Sequence, residues 1–280
     1  MALDQIDDVD DEAEMSFLDH LEHLRWHLIR SLIAIAIVSI VALIFPELIF
    51  QKVLFAPTRT DFWTFRMLCK LSESLSLDAL CIDDLPFILQ SRKVTGQFMM
   101  YFTTSFVVGI IVAFPYIVWE IWRFIKPGLY SKEKKAARGA VFYVTLLFFA
   151  GISFGYFIIT PVSVNFFANF KVDPSISNEF DVVNYTSTII TIVFGSGLLF
   201  QLPIAVQFLS KAGLVTPGLL RKYRRHAIVA ILFIGAMLTP PEPVSQIIVA
   251  IPLFILYELG VLISARVERQ NKTEELSTTE

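Results

Sequence analysis

The residues that could carry chemistry cluster at the start of the first apolar run. Ser16-Phe17-Leu18-Asp19-His20-Leu21-Glu22-His23-Leu24-Arg25-Trp26-His27-Leu28-Ile29-Arg30 holds three of the chain's four histidines, the fourth being His226. His20, His23 and His27 are spaced i, i+3, i+7 and could share part of a helix face, which is one geometry for a metal. No further ligand pattern accompanies them, so they read as interfacial polar residues and no metal is expected. Glu22 and Arg25 stand three apart and can pair on a helix. Glu133 lies among Lys132, Lys134 and Lys135. Glu120 falls between Trp119 and Trp122 and reads as a wetted carboxylate at an interface. Glu258 lies inside an apolar run, where a carboxylate is a functional candidate or a structural hydrogen-bond partner of a neighbouring helix. HExxH, GxxxxGK[ST] and GxGxxG patterns are absent, and no dyad is placed for nucleophilic or acid–base work. Enzymatic catalysis and a cofactor are not expected.

The elements that must position these groups are membrane helices. The chain of 280 residues is 55% apolar and contains 26 Phe, with a mean hydropathy of +0.64, against about 45–50% apolar for soluble domains. Its apolar runs extend for about 20 residues, the length that crosses ~30 Å of hydrocarbon. The spans are predicted at 28–50, 98–124, 140–164, 187–210, 227–241 and 246–264. Residues 1–15 form an acidic leader (Asp4, Asp7, Asp8, Asp10, Asp11, Glu12 and Glu14) whose composition predicts a solvated tail. Residues 16–265 form the membrane domain, and 266–280 a polar tail. The fold class is an all-α polytopic bundle of six transmembrane helices, concave, with a short final hairpin.

Sixteen of the 23 Lys and Arg fall on one side of these spans, among them Arg25, Arg30, Arg123, Lys135, Arg221, Arg225 and Arg266. The remaining seven are spread over longer connections on the other side. The excess of Lys and Arg marks the cytoplasmic side, so both termini are expected in the cytoplasm. The first external loop, about 51–97, is the long one, and its aromatic and apolar stretches predict amphipathic helices over the bundle. The second, about 165–186, is polar and is expected to cap it. Cys69 and Cys81 both lie in the first loop, on the side where disulfides persist; spacing alone leaves open whether their Cβ atoms meet.

Two features shape the bundle. Prolines 115, 161, 203 and 252 fall inside spans and bend their helices. The fifth apolar run, Ala227 to Leu238, is shorter than the ~17 residues that a crossing takes. The last two helices are therefore expected to form a short hairpin that leaves the outer leaflet thinned or opens a polar recess. Its turn, Thr239-Pro240-Pro241-Glu242-Pro243-Val244-Ser245, places Glu242 and Gln246 near membrane depth facing protein or water.

The blocks so described resemble the TatC family, the multi-spanning C subunit of the twin-arginine protein translocase. The family's opening HLxELRxRL is matched by His20-Leu21-Glu22-His23-Leu24-Arg25-Trp26-His27-Leu28. Ala56-Pro57 matches the start of its first external loop. Trp122-Arg123-Phe124-Ile125-Lys126-Pro127-Gly128-Leu129-Tyr130-Ser131-Lys132-Glu133-Lys134-Lys135 matches its first cytoplasmic loop. Phe200-Gln201-Leu202-Pro203, Met237-Leu238-Thr239-Pro240-Pro241-Glu242, Ser245-Gln246 and Tyr257-Glu258-Leu259-Gly260 follow in family order over about residues 16–265. The loop and LTPP blocks are specific.

The resemblance implies a receptor in the cytoplasmic (inner) membrane that binds Arg-Arg signal peptides of folded proteins, with export driven by the proton-motive force. It also implies single-span TatA- and TatB-type partners and self-association in a complex, with no nucleic acid involved. A guanidinium pair calls for carboxylates, which bind it bidentately. Glu133 is carried over in that role beside Phe124 and Pro127, with Glu22, His23 and Arg25 on the opening helix. Pro57, Gln201, Pro240, Pro241, Glu242, Gln246 and Glu258 are carried over as structural or partner-contact positions. Three residues depart from the family pattern. His23 stands where a Glu is usual, and Glu22 beside it points about 100° away on a helix. Gln201 replaces a common acidic residue and cannot ionise. Glu242 replaces a common Asp. The alternative reading is a secondary transporter of a small solute, which calls for repeated halves and a midplane ion site; no repeat relates the first three spans to the last three.

Overall fold

The computed structural model describes residues 17–75, 81–82, 84–125, 139–239 and 243–278. The opening helix, α1 (Phe17–Ile44), ends sooner than the predicted span. Pro46 has no N–H for the helical ladder, and the chain continues as a π-helical segment over Glu47–Leu54 and a 3₁₀ turn at Ala56–Thr58 with Pro57 buried. Helix α2 (Trp63–Leu75) is amphipathic, as expected for the first long loop. Phe65 is buried on one face, and Trp63, Met67 and Leu71 are exposed on the other.

Helix α3 (Gly96–Ile125) runs back antiparallel to α1. The two approach closely because Gly109 has no side chain: a Cβ there would run into Ser39 Oγ and the Ile35 carbonyl. Tyr101 on α3 also donates to the Leu43 carbonyl of α1. The third span joins α4 (Ala140–Phe154), a π-helical turn Gly155–Ile159, and α5 (Thr160–Asn169). The fourth joins α6 (Val182–Leu199) and α7 (Leu202–Lys211). It breaks at Phe200–Gln201, directly before Pro203, where the proline removes a donor. The short α8 (Pro217–Lys222) leads into α9 (Arg224–Leu238) and α10 (Pro243–Thr278).

Among the described residues five helical segments are long and apolar enough to cross a membrane: Glu22–Ile44, Gly96–Ile125, Ala140–Asn169, Val182–Lys211 and Ser245–Gln270. With 15 residues, α9 is about 22 Å long and falls short of the hydrocarbon thickness. The last hairpin is therefore short. Leu32, Ile33, Ile37, Ile40 and Ile44 of α1 are exposed, the pattern of a helix whose apolar side meets lipid and not a protein core. One core cluster gathers Phe50, Leu54, Met100, Val164, Tyr185 and Ile189; a second gathers Ile159, Ile192, Ile231, Val249, Leu253 and Leu256.

The fold is mostly helical, as expected, with one addition. Strands β1 (Phe87–Gln90) and β2 (Asn178–Asp181) pair in parallel, Phe87 opposite Asn178 and Gln90 opposite Asp181. They join the first long loop to the α5–α6 connection. Asn178 Nδ2 ties β2 to the end of α5 by donating to the carbonyls of Ala168 at 2.9 Å and Phe170 at 3.1 Å. Four-residue strands with a non-local partner carry no strong local pattern, which is why the sequence predicts only helices and loops there. Cys69 and Cys81 form a disulfide in the same region.

Candidate functional site

At the end of the bundle opposite this sheet, α1 and α3 bring the opening motif beside the last turns of α3. Glu22, His23 and Arg25 are all exposed on the first turns of α1. Among the described residues no ion pair links Glu22 to Arg25, so that expected pairing is not made. One turn further on, His27 faces α3.

There the structure corrects the expectation for Glu120. Its side chain is only 1% exposed, not wetted at the interface. His27 Nδ1 bonds to Glu120 Oε2, and Tyr116 Oη donates to Glu120 Oε1 at 2.8 Å. Arg123 Nη1 stands 3.8 Å from the same oxygen. The spacing explains the convergence: positions 116, 120 and 123 are i−4, i and i+3 on one helix face. A buried carboxylate is costly unless it is paired and hydrogen-bonded, and here it has all three kinds of partner. Arg123 also lies over the Trp119 ring, 4.8 Å from its centre, a cation–π contact. The His27 ring meets Phe124 edge-on at 6.1 Å. His27 is thus a bonded, half-buried residue and not a free interfacial one.

This cluster was missed in the sequence because Trp119 and Trp122 suggest an interface. The available signal was a carboxylate inside a 30-residue apolar helix with Tyr and Arg at helical spacing, which is a functional-site candidate by position alone. Phe124 sits at the edge of the cluster. Pro127 and Glu133 lie outside the described residues, as do Pro240, Pro241 and Glu242.

The other carried-over positions tie helices together. Gln201 Nε2 donates to the Val144 carbonyl of α4 at 3.2 Å, while its Oε1 is buried with no hydrogen-bond partner among the described residues. Gln246 Nε2 donates to the Leu232 carbonyl at 3.2 Å and so closes the α9–α10 hairpin. Glu258 pairs with Arg224 Nη2 at 2.7 Å, and the adjacent Tyr257 donates to the Leu220 carbonyl at 2.6 Å. Among the described residues no group of three or more His, Cys, Asp or Glu could hold a metal ion.

Long apolar helices with buried polar ties at one end define a multi-pass helical membrane protein. Comparison with known proteins narrows this class. The family model described as "Sec-independent protein translocase protein (TatC)" matches residues 19–252. A TatC of Blattabacterium is 38% identical over 249 residues, covering 88% of this chain and 94% of that one. The TatCy of Bacillus subtilis is 36% identical over 182 residues, 65% of this chain and 72% of its own. A crystal structure of the twin-arginine translocase receptor TatC in a detergent superposes with a TM-score of 0.68 at 31% identity, covering 88% of this chain and 99% of that one. A second gives a TM-score of 0.63 at 30% identity, with 89% and 99% covered. The chain belongs to the TatC family of Sec-independent protein translocase proteins. It is a transport subunit and not a classical enzyme.

Proposed function

We propose that this chain is the receptor subunit of a twin-arginine translocase, binding Arg-Arg signal peptides at the cytoplasmic face of the inner membrane. The reading is supported by the family match over 19–252 and by solved relatives described as twin-arginine translocase receptors. The observation that carries the site is the His27–Glu120 tie. It fixes the helix that bears Glu22, His23 and Arg25 against the helix that leads into the loop containing Pro127 and Glu133. In this reading Glu133 engages a guanidinium bidentately, with Glu22 a weaker second carboxylate and Phe124 and Pro127 shaping the pocket. His23 supplies no carboxylate. The lipid-exposed helix faces receive the apolar part of the signal peptide and single-span TatA- and TatB-type partners. Both termini lie in the cytoplasm, copies associate in the working complex, and the proton-motive force drives export.

The test is binding of an Arg-Arg signal peptide and its Lys-Lys counterpart to the protein in nanodiscs. A preference for Arg-Arg that Glu133→Ala weakens supports the assignment. Equal, weak binding of both peptides, indifferent to that change, refutes it.

A further inference from the structure

The third and fourth spans pack tightly over part of their length only. Gly151 of α4 lies against α6, where a Cβ would come within 2.5 Å of the Ser196 carbonyl oxygen, and one on Gly155 within 3.0 Å of the Ile192 carbonyl oxygen. Directly beyond Gly155 the third span loosens into its π-helical turn, Gly155–Ile159, followed by Pro161. Thr160 Oγ1 donates to the Gly155 carbonyl at 2.9 Å. Single π-helical turns within helices recur at functional sites. Here the turn marks the level above which a cavity of about 310 Å³ opens between α5 and α6. That volume is at the lower end of ordinary small-molecule sites.

The cavity has an apolar shaft and a charged mouth. Val164 and Phe167 of α5 and Ile189 and Ile192 of α6 line it together with Thr160, Ser163 and Thr188, and Arg92, Glu179 and Asp181 stand at the sheet end. From Asp181 at the mouth to Ile192 the shaft follows α6 for about 16 Å at 1.5 Å per residue. That is close to half of a ~30 Å hydrocarbon core, the depth of one leaflet. The last hairpin meets this part of the third span where Ser245 Oγ lies 3.4 Å from Ser163 Oγ. At the mouth, Arg92 Nη2 is 3.5 Å from Glu179 Oε2, and both side chains remain substantially exposed. The same Nη2 donates to the Glu179 carbonyl at 3.5 Å, and the Asp181 carboxylate also lines the mouth, so the mouth presents one guanidinium with two carboxylates.

We infer that this cavity holds one acyl chain of a zwitterionic glycerophospholipid from the leaflet on the sheet side, with the headgroup phosphate at Arg92 and its ammonium at Glu179. The apolar shaft matches the chain in depth, and the paired charges match a headgroup that carries both signs. This site is at the opposite end of the bundle from the His27–Glu120 cluster, so its test is independent of peptide binding.

The experiment is native mass spectrometry of the full chain, delipidated in detergent and titrated with phosphatidylethanolamine or phosphatidylglycerol. The expected result is a single saturable lipid, with phosphatidylethanolamine preferred several-fold. Arg92→Ala with Glu179→Ala, two exposed positions, removes that preference, so that both lipids bind alike, as expected for loss of charge-assisted contacts. Ile189→Phe, which narrows the shaft, lowers occupancy with either lipid. Equal, unsaturable uptake of both lipids, unchanged in the mouth variant, overturns the proposal. So does displacement of the lipid by a single-span partner helix at stoichiometric ratio, which would assign the cavity to protein.

Discussion

His27 on α1 and Glu120 on α3 stand 93 residues apart in the chain and share a hydrogen bond at a carboxylate that solvent hardly reaches. The bond joins two antiparallel helices at the end where the opening motif begins, while Gly109 lets the same helices touch at mid-depth. One contact sets how closely α1 and α3 approach, and the other sets how they align.

Glu120→Ala removes the buried acceptor that His27, Tyr116 and Arg123 share and should lower stability by about 3–5 kcal/mol. His27→Ala leaves Glu120 with Tyr116 and Arg123 and should cost less, about 1–3 kcal/mol. Replacing both by Leu removes the desolvation cost together with the attraction and should recover most of the loss. Denaturant unfolding in detergent, followed by circular dichroism, measures all three variants. A double variant as unstable as the sum of the singles would show that the two residues do not act as a pair.

The α4–α6 crossing gives a steric prediction. An added side chain at Gly151 meets the Ser196 carbonyl oxygen at 2.5 Å and the Gly197 Cα at 2.9 Å, both backbone atoms that no rotamer change can move. Overpacking typically costs about 1–3 kcal/mol, and Gly151→Val should fall at or above the upper end. Gly218→Ala, where nothing lies within 4 Å, serves as the control. Comparable thermal unfolding of the two variants would mean that α4 and α6 have room to separate.

Most of the bundle was legible because membrane helices declare themselves locally. An apolar run such as Ile189 to Leu199 needs no partner to be recognised, and Pro203 announces a bend through its missing N–H. Pro46, by contrast, lies inside the predicted 28–50 span, and its break there is a finding of the structure. The short hairpin followed from the length of Ala227 to Leu238 alone. What stayed hidden depends on distant residues. Phe87–Gln90 becomes a strand only because Asn178–Asp181 lies beside it. Glu120 is buried only because His27 arrives from another helix. The opening motif at Glu22–Arg25 was legible as a pattern, but its environment depends on how α1 meets α3.

The disulfide gives a prediction of a different kind. Cys69 and Cys81 close a loop of 12 residues between α2 and the approach to β1. A closure of that size stabilises by about 3 kcal/mol, chiefly by restricting the unfolded chain. A reductant should therefore lower the wild-type melting temperature and leave Cys69→Ser/Cys81→Ser unmoved. The same shift in both proteins would show that the reductant acts elsewhere.

Asp181 links the sheet to α6 and should make that link sensitive to acid. Its Oδ1 accepts from the N–H groups of Val183 at 3.0 Å and Asn184 at 3.2 Å, capping α6, and its Oδ2 accepts from the Arg92 N–H at 3.1 Å. Burial pushes this carboxyl up, but the hydrogen bonds from the backbone of Arg92, Asn184 and Val183, with Lys93 nearby, outweigh it and hold the group below the ordinary aspartate value of 3.8. A carboxyl depressed in the folded state contributes stability above its unfolded pKa, and loses it as pH falls through the folded one. Hydrogen exchange at Val183 and Asn184 should therefore be slow and level from neutral pH down to about 4, after correction for intrinsic rates. Protection should fall as the pH drops further. Asp181→Asn keeps an acceptor that does not titrate, so its protection should be lower at neutral pH and flat across the same range. A wild-type profile as flat as that of Asp181→Asn would show that the capping contacts do not depend on the charge.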